Sequence, residues 1–259
     1  MDKIVTKMTL ILISLGLYDI KDISLRAIEI ARECDVLYLE SYTNYFKDDV
    51  NSISKYLGKE IRLAQRKDFE DNLDKILKEA KNKKIGLLIP GDCLSATTHI
   101  SILNEAKKKN IKVEIIHGSS IFTAIAETGL SLYNFGKITS IPFNNSNIET
   151  PYNVLGENKK LGLHTLFLLD LKPDDGEYMK INEAIDYLIN LEKKKKFKVI
   201  NNNTLCVGCA ALGSEDSKIV YGKISDVREI NINKIPQCLI IPGKMQFFEE
   251  EYLENFKLN

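Results

Sequence analysis

The sequence predicts an α/β protein of two domains, and three observations carry that expectation. Apolar runs of strand length at 8–14, 36–39, 86–90 and 113–116 alternate with helix-spaced patterns, as in an open sheet wrapped by helices. Three of these runs end on small-residue turns, at Leu15-Gly16-Leu17, Gly91-Asp92 and His117-Gly118-Ser119-Ser120. From about Lys137 the rhythm loosens and the strands stand farther apart. The 259 residues have room for one large or two modest domains. The boundaries read from the chain are an extension over 1–7, an N-terminal α/β domain over 8–119 and a C-terminal mixed α/β domain over 120–259.

Taken in order, Met8 to Ser14 is a buried strand that turns at Leu15-Gly16-Leu17. Asp22 precedes a helical face of Ile23, Ala27, Ile28 and Ala31. Val36 to Leu39 is the second strand, and strand-helix-strand in this order predicts a parallel pair. Residues 40–47 form a polar loop carrying Tyr42, Tyr45 and Phe46, and Ile61 to Leu63 is a short strand. Asp68 is expected to cap one amphipathic helix whose buried face is Phe69, Leu73, Ile76, Leu77 and Ala80.

The centre of the chain is 87–99, LLIPGDCLSATTH. Strand, tight turn and helix start in that order mark where open α/β sheets place ligands. Gly91 permits the turn and a close approach of ligand to main chain. Asp92 puts a carboxylate at that edge, and Thr97 and Thr98 can cap the helix over about 98–109. An ordinary strand-to-helix turn carries the same residue types. The edge at 117–121 repeats the chemistry with free N–H groups and hydroxyls. The three turns together outline a crevice poor in charge, suited to a mostly uncharged ligand. No Gly-Lys-Ser/Thr phosphate loop is present.

In the second half, 144–152 is Asn/Ser/Pro-rich and reads as a loop or linker. Thr165 to Leu169 is a strand, Asp174-Asp175-Gly176 a turn, and 181–191 a helix running into Lys193–Lys196. That lysine run is either a contact for an anionic partner or a solvated helix end matched to the dipole. Residues 204–210, 219–222 and 238–241 are strands, and a final helix carries Phe247, Tyr252 and Phe256.

Composition narrows the class. Hydrophobic residues at 44% and charged residues at 28% are ordinary for a folded globular chain. The formal net charge of zero argues against a protein that coats a polyanion. The start, MDKIVTKMTLILISLG, is charged and then apolar, but it lacks a small-x-small cleavage site and reads as a first strand. No run approaches the ~20 apolar residues of a membrane span. Five cysteines, an odd number, then predict a cytoplasmic protein with free thiols.

Two tempting motifs are set aside. Cys206 and Cys209 form a Cys-x-x-Cys without a second pair, in a strand where an offset of three sends the side chains to opposite faces. His99, His117 and His164 lie in separate elements. His99 and His117 could share the crevice edge, where a metal or general-base role is conceivable, but no ligand spacing supports a metal.

The segments LGLYD at 15–19, GDCLSATTH at 91–99, IHGSSI at 116–121, GLHTLFLLDLK at 162–172 and TLCVG at 204–208 fall in this order along nearly the whole chain. In them the chain resembles the diphthine synthases of the tetrapyrrole-methylase-like family. The resemblance implies two α/β domains of the tetrapyrrole methylase type with a donor cleft between them. It implies S-adenosyl-L-methionine as methyl donor and no metal. The acceptor it implies is elongation factor 2, on a histidine already carrying an aminocarboxypropyl group, and the oligomer a homodimer, with neither nucleic acid nor membrane as partner. TLCVG and the Glu-Asp-x-Lys-Ile run at 215–219 look more like eukaryotic members, which favours four methylations, giving diphthine methyl ester. The archaeal type adds three and gives diphthine.

Carried over by motif, the donor contacts are Leu17, Asp92, Ser95, Ser120, Ile121, Leu169, Leu212 and Gln237. Cys93 stands where proline is usual, Ala210-Ala211 where many members carry Ala-Arg, and Gln237 where His is common. Methyl transfer from a sulfonium needs mainly alignment of nucleophile, methyl and sulfur. Solvent can take the proton of an amine nucleophile, so no catalytic residue is assigned from the sequence. A related methylase acting on a tetrapyrrole or RNA, and a nucleotide-binding protein without catalysis, are the competing readings.

Overall fold

The computed structural model describes residues 9–42, 44–70 and 72–258. The expected extension over 1–7, and Met8 of the first strand, lie outside the described residues. Packing divides the chain into two compact units between Phe122 and Thr123.

The first unit is a five-stranded parallel sheet. Its strands are β1 (Thr9–Ser14), β2 (Val36–Glu40), β3 (Ile61–Ala64), β4 (Lys84–Ile89) and β5 (Lys112–Ile116), in the order β3-β2-β4-β1-β5. β1 and β2 are parallel members of one sheet, but β4 stands between them, so the expected direct pair is not formed. The long-range insertion of β4 cannot be read from local order. β1 is buried along its whole length because helices cover both faces. Leu10 and Leu12 pack with Ile76, Leu77 and Ile102 on one face, and Ile11 and Ile13 pack with Ala27, Ile28 and Ile53 on the other. Each such Leu or Ile contributes roughly 1.5–3 kcal/mol by leaving water.

Helix α1 (Leu25–Glu33) starts later than the sequence suggests. Ser24 caps it, its Oγ accepting from Ala27 N–H at 3.1 Å. Asp22 instead folds back to accept from Tyr18 and Asp19 N–H within the turn before it. Helix α2 (Val50–Leu57) was not legible from periodicity, since only Ile53 and Leu57 are buried. Its ends carry the signal: Asp49 accepts from Ser52 N–H at 2.7 Å, and Gly58 closes it at φ +69°. The single helix expected after Asp68 is two, α3 (Arg66–Glu70) and α4 (Leu73–Glu79). Asp68 accepts from Gln65 N–H at 2.9 Å, and all five residues of the expected face are buried despite the break. Helix α5 (Ile100–Lys108) follows β4, and the short α6 (Ile121–Ala124) follows β5.

The second unit is built on a mixed sheet of β6 (Thr139–Ile141), β7 (Thr165–Leu169), β10 (Leu205–Ala210), β11 (Lys218–Lys223) and β12 (Gln237–Ile241). The order is β11-β10-β12-β7-β6, with β6 and β7 its parallel pair. A ribbon of β8 (Leu171–Lys172) and β9 (Glu177–Tyr178) leaves the end of β7. Helix α7 (Thr150–Leu161) occupies part of the segment read as a loop. Pro151 lies in its first turn, where its missing N–H costs nothing, and Gly162 ends it at φ +73°. Helix α8 (Ile181–Lys195) packs Ile181, Ile185 and Leu188 against Phe167 and Leu239. Its lysines end the helix, where Lys195 pairs with Glu149 at 2.7 Å. α9 (Ile224–Val227) and α10 (Phe247–Leu253) complete the unit. α10 is the expected final helix carrying Phe247 and Tyr252, both exposed, while Leu253 and Glu249 are buried, and Phe256 lies in the 3-10 turn that follows.

Cys206 joins the α8-side core, and Cys209 lies on the other face, directly across from Cys238. All five cysteines are free and buried. Among the described residues no helix is long and apolar enough to cross a membrane.

Candidate functional site

In the first unit the three small-residue turns meet at the carboxyl ends of β1, β4 and β5, which are neighbours in the sheet. Leu15 N–H donates to Ile89 C=O at 2.8 Å. Gly16 and Gly91 exchange both backbone bonds, at 3.3 and 2.7 Å. Cys93 N–H donates to the Ser14 hydroxyl at 2.9 Å. Gly118 lies so close that a Cβ there would come within 2.8 Å of Ser14 Cβ. The three turns, from separate stretches of sequence, are therefore one local structure within this unit.

Asp92 ties two of the turns together. Its Oδ1 accepts from Leu94 N–H at 3.0 Å and the Ser95 hydroxyl at 3.1 Å. Its Oδ2 accepts from His117 Nδ1 at 2.7 Å and Gly118 N–H at 3.2 Å. A carboxylate offers about four lone-pair sites, and here all are used. Burial pushes the Asp92 carboxyl up, but the bonds from Leu94, His117, Gly118 and Ser95 outweigh it and hold its pKa below the ordinary value.

Around this core, Leu17 is half-buried at the exit of the first turn and Ser95 half-buried in the second. Ser120 is buried in the third, and Ile121, half-buried, begins α6. The second turn is wound by Ala96 at φ +57° and by Thr97, whose hydroxyl donates to Cys93 C=O at 3.1 Å and accepts from His99 N–H at 3.4 Å.

The two histidines of this region part company. His99 is buried below the turn, its Nδ1 at 3.1 Å from Cys93 C=O and its Nε2 at 3.8 Å from Glu40. His117 stands at the surface with its side chain 68% exposed. The shared edge expected for the pair is not formed. The Asp92–His117 contact was invisible in the sequence, because 25 residues separate the partners and only the β4-β1-β5 order brings their turns together.

In the second unit the other three predicted contacts gather at one end of the sheet. Leu169 is the last residue of β7, Gln237 the first of β12, and Ala210 pairs with Gln237 two residues before Leu212. Ala211 is held at φ +50°, with its N–H donating to Pro236 C=O at 2.9 Å. The Gln237 side chain is committed internally. It accepts from Ile181 N–H at 2.9 Å and donates to Ile232 and Lys234 C=O at 2.7 and 2.8 Å. Both hydrogens of its side-chain amide are therefore spent within the protein.

His164 is buried in this unit with Glu249. Its Nδ1 accepts from Gly243 N–H at 2.9 Å, so Nε2 carries the proton and faces Glu249 Oε1 at 3.4 Å. Burial lowers the His164 pKa against the opposing pull of Glu249. This pair staples α10 to the loop at Ser131, whose N–H donates to Glu249 at 2.7 Å. Among the described residues no group of three or more His, Cys, Asp or Glu side chains is placed to hold a metal ion.

Residues 9–228 match the tetrapyrrole (corrin/porphyrin) methylase family. The chain is 45% identical over 250 residues to the diphthine synthase of Methanocaldococcus jannaschii, covering 95% of this chain and 97% of that one. A crystal structure from Entamoeba histolytica, provisionally assigned as a diphthine synthase, superposes with a TM-score of 0.89 at 36% identity, covering 97% of this chain and 99% of that one. A second crystal structure, of a diphthine synthase, gives 0.88 at 34% identity, with 96% of each chain covered. With both halves of the chain matched in sequence and in fold, the protein belongs to the tetrapyrrole (corrin/porphyrin) methylase family, among the diphthine synthases, the methyltransferases of diphthamide biosynthesis.

Proposed function

We propose that this protein transfers methyl groups from S-adenosyl-L-methionine to the aminocarboxypropyl-histidine of elongation factor 2, four in all, giving diphthine methyl ester. The observation that carries the reading is the convergence of three glycine-bent turns at the carboxyl ends of adjacent parallel strands, the first two joined by Gly16 and Gly91 and the last two by Asp92. The residues present fit an adenosyl donor. Gly91 is buried, and a Cβ there would meet the Asn44 side-chain amide at 3.2 Å but no backbone, so a flat ligand that displaces this flexible side chain can lie against the main chain. Leu17 and Ile121, at the first and third turns, bring half-buried apolar surface, and Ser95 and Ser120 bring hydroxyls. Leu169, Leu212 and Gln237, which gather at one end of the second unit's sheet, are proposed as donor contacts on the sequence resemblance. Asp92 acts by shaping the turn, and a ligand hydroxyl on it would replace that of Ser95.

The donor supplies a methyl group on a sulfonium, a leaving group good enough that alignment is the main demand on the protein. The reading places the enzyme in the cytoplasm as a homodimer. The number of methyl groups has a second reading. The 45% identity to a Methanocaldococcus protein named for diphthine favours the three-methyl product. Mass spectrometry of elongation factor 2 carrying the aminocarboxypropyl group, incubated with enzyme and donor, separates four additions from three. No addition overturns the function. Calorimetry provides a second test: S-adenosylhomocysteine binds and ATP does not.

A further inference from the structure

We propose that His117 is the general base of the methyl transfer, held in register by Asp92. The proposal rests on the functional reading above and adds a catalytic group to it. His117 is joined through Nδ1 to a carboxylate that is only 6% exposed, at 2.7 Å, while the ring itself stands in solvent. An ionised carboxylate can only accept, so Nδ1 carries the proton. Neutral imidazole then has its free lone pair on Nε2, which is directed away from Asp92. A buried carboxylate, an oriented ring and an open nitrogen make up the arrangement of a base awaiting a substrate proton.

Among the described residues of the second and third turns, no other titratable side chain is open to act as a base. Asp92 has all its acceptor positions filled, and His99 is buried against Cys93 and Glu40. Gly118, the next residue, packs on Ser14 of the first turn and donates to Asp92, which fixes the backbone from which the ring projects. His117 precedes Ser120 and Ile121 by three and four residues, at the same edge as the proposed donor contacts.

The chemistry balances without a further reactant. The acceptor amine must give up a proton to attack. Its nitrogen lone pair forms the new N–C bond, and the pair of the breaking S–C bond leaves with sulfur. The N–H proton passes to Nε2 of His117, and from that exposed nitrogen to water. The positive charge formed on the ring lies against the Asp92 carboxylate. Successive methylations of one nitrogen repeat this until no N–H is left.

The test uses full-length His117→Gln and His117→Ala. Wild-type binding of S-adenosylhomocysteine by calorimetry, and wild-type methylation of elongation factor 2, judge the functional reading on their own; if both are lacking, that reading falls and takes this proposal with it. With both present, kcat is expected to fall about 10²-fold in each variant. Product affinity should stay within about twofold. Added imidazole should restore transfer in His117→Ala, and should do nothing for wild type. Variants that transfer at the wild-type rate overturn the proposal alone. So does a loss that imidazole does not restore and that tracks a matching loss of product affinity, which would make His117 a builder of the turn.

Discussion

Gly16 and Gly91 hydrogen-bond to each other in both directions, N–H to C=O, across the ends of β1 and β4. Both lie in the left-handed region, at φ +87° and +78°. Neither residue alone makes a site; the mutual bond makes two unrelated turns one rigid edge. The two positions differ in what a side chain would meet. At Gly16 a Cβ would fall 2.5 Å from Asp22 Cβ and 2.6 Å from Asp22 C=O, whereas at Gly91 it meets only a flexible amide.

Gly16→Ala is therefore expected to cost about 3 kcal/mol or more, from positive φ plus a backbone clash. Gly91→Ala should cost only about 1–2 kcal/mol in stability, because positive φ alone is strained. Urea unfolding of the two variants checks the order. Equal losses would mean that the turn relaxes at Asp22.

Asp92→Ala removes the acceptor of four hydrogen bonds and leaves Leu94 and Gly118 N–H without partners. Affinity for S-adenosylhomocysteine should drop about tenfold or more, measured by titration calorimetry. An unchanged affinity would argue that the donor lies elsewhere. Because the folded pKa of Asp92 is lowered, its stabilising contribution is present above the unfolded value near 3.9 and is lost as pH falls through the folded one.

Glu249 is fully buried and accepts from Ser131 N–H, Gln246 N–H and His164. Glu249→Ala should destabilise by about 3 kcal/mol or more, since these donors are left unpaired, and Glu249→Gln by less. The pH dependence has a definite sign. His164 has its pKa lowered, chiefly by burial, so its share of stability is present above about pH 6.5 and declines below it. Burial raises the Glu249 carboxyl, but bonds from Gln246, Ser131 and His164 bring it below the ordinary value, so a second decline begins below about pH 4.3. Thermal melts across this range should show both. Stability that rises on acidification from pH 7 to 5 would contradict the neutral assignment of His164.

The cysteines should be silent in the native protein. Burial pushes the Cys34 and Cys206 thiols up to about 11 and about 12, and Cys209 is raised well above its usual value, first by its hydrogen bond to Cys238 and then by burial. Labelling with a disulfide reagent at pH 8 should modify no cysteine within minutes, and all five after denaturation. Rapid native labelling would show that one of the sheets opens.

Local chemistry alone determined the longer strands, most helices and the glycine turns, but not the two- and three-residue strands β6, β8 and β9. Alternating or continuous apolar runs cannot remain in water, and Gly16 and Gly91 are the residues that tolerate the backbone these turns adopt. The same locality explains the misses. α2 and α7 bury few or irregularly spaced residues, so their signal lay in Asp49, Gly58, Pro151 and Gly162 rather than in periodicity. Which face of α10 is buried was not legible either, because it depends on Glu249 finding enough donors to be buried while Phe247 is exposed. What only the tertiary structure decided is who meets whom. β4 enters between β1 and β2 and sets Gly16 against Gly91, while β5 flanks β1 on its other side and sets Gly118 on Ser14 and His117 beside Asp92. Hydrogen bonds between residues 25 to 79 positions apart depend on strand order, and strand order is settled by the packing of the whole sheet, which no short window of sequence contains.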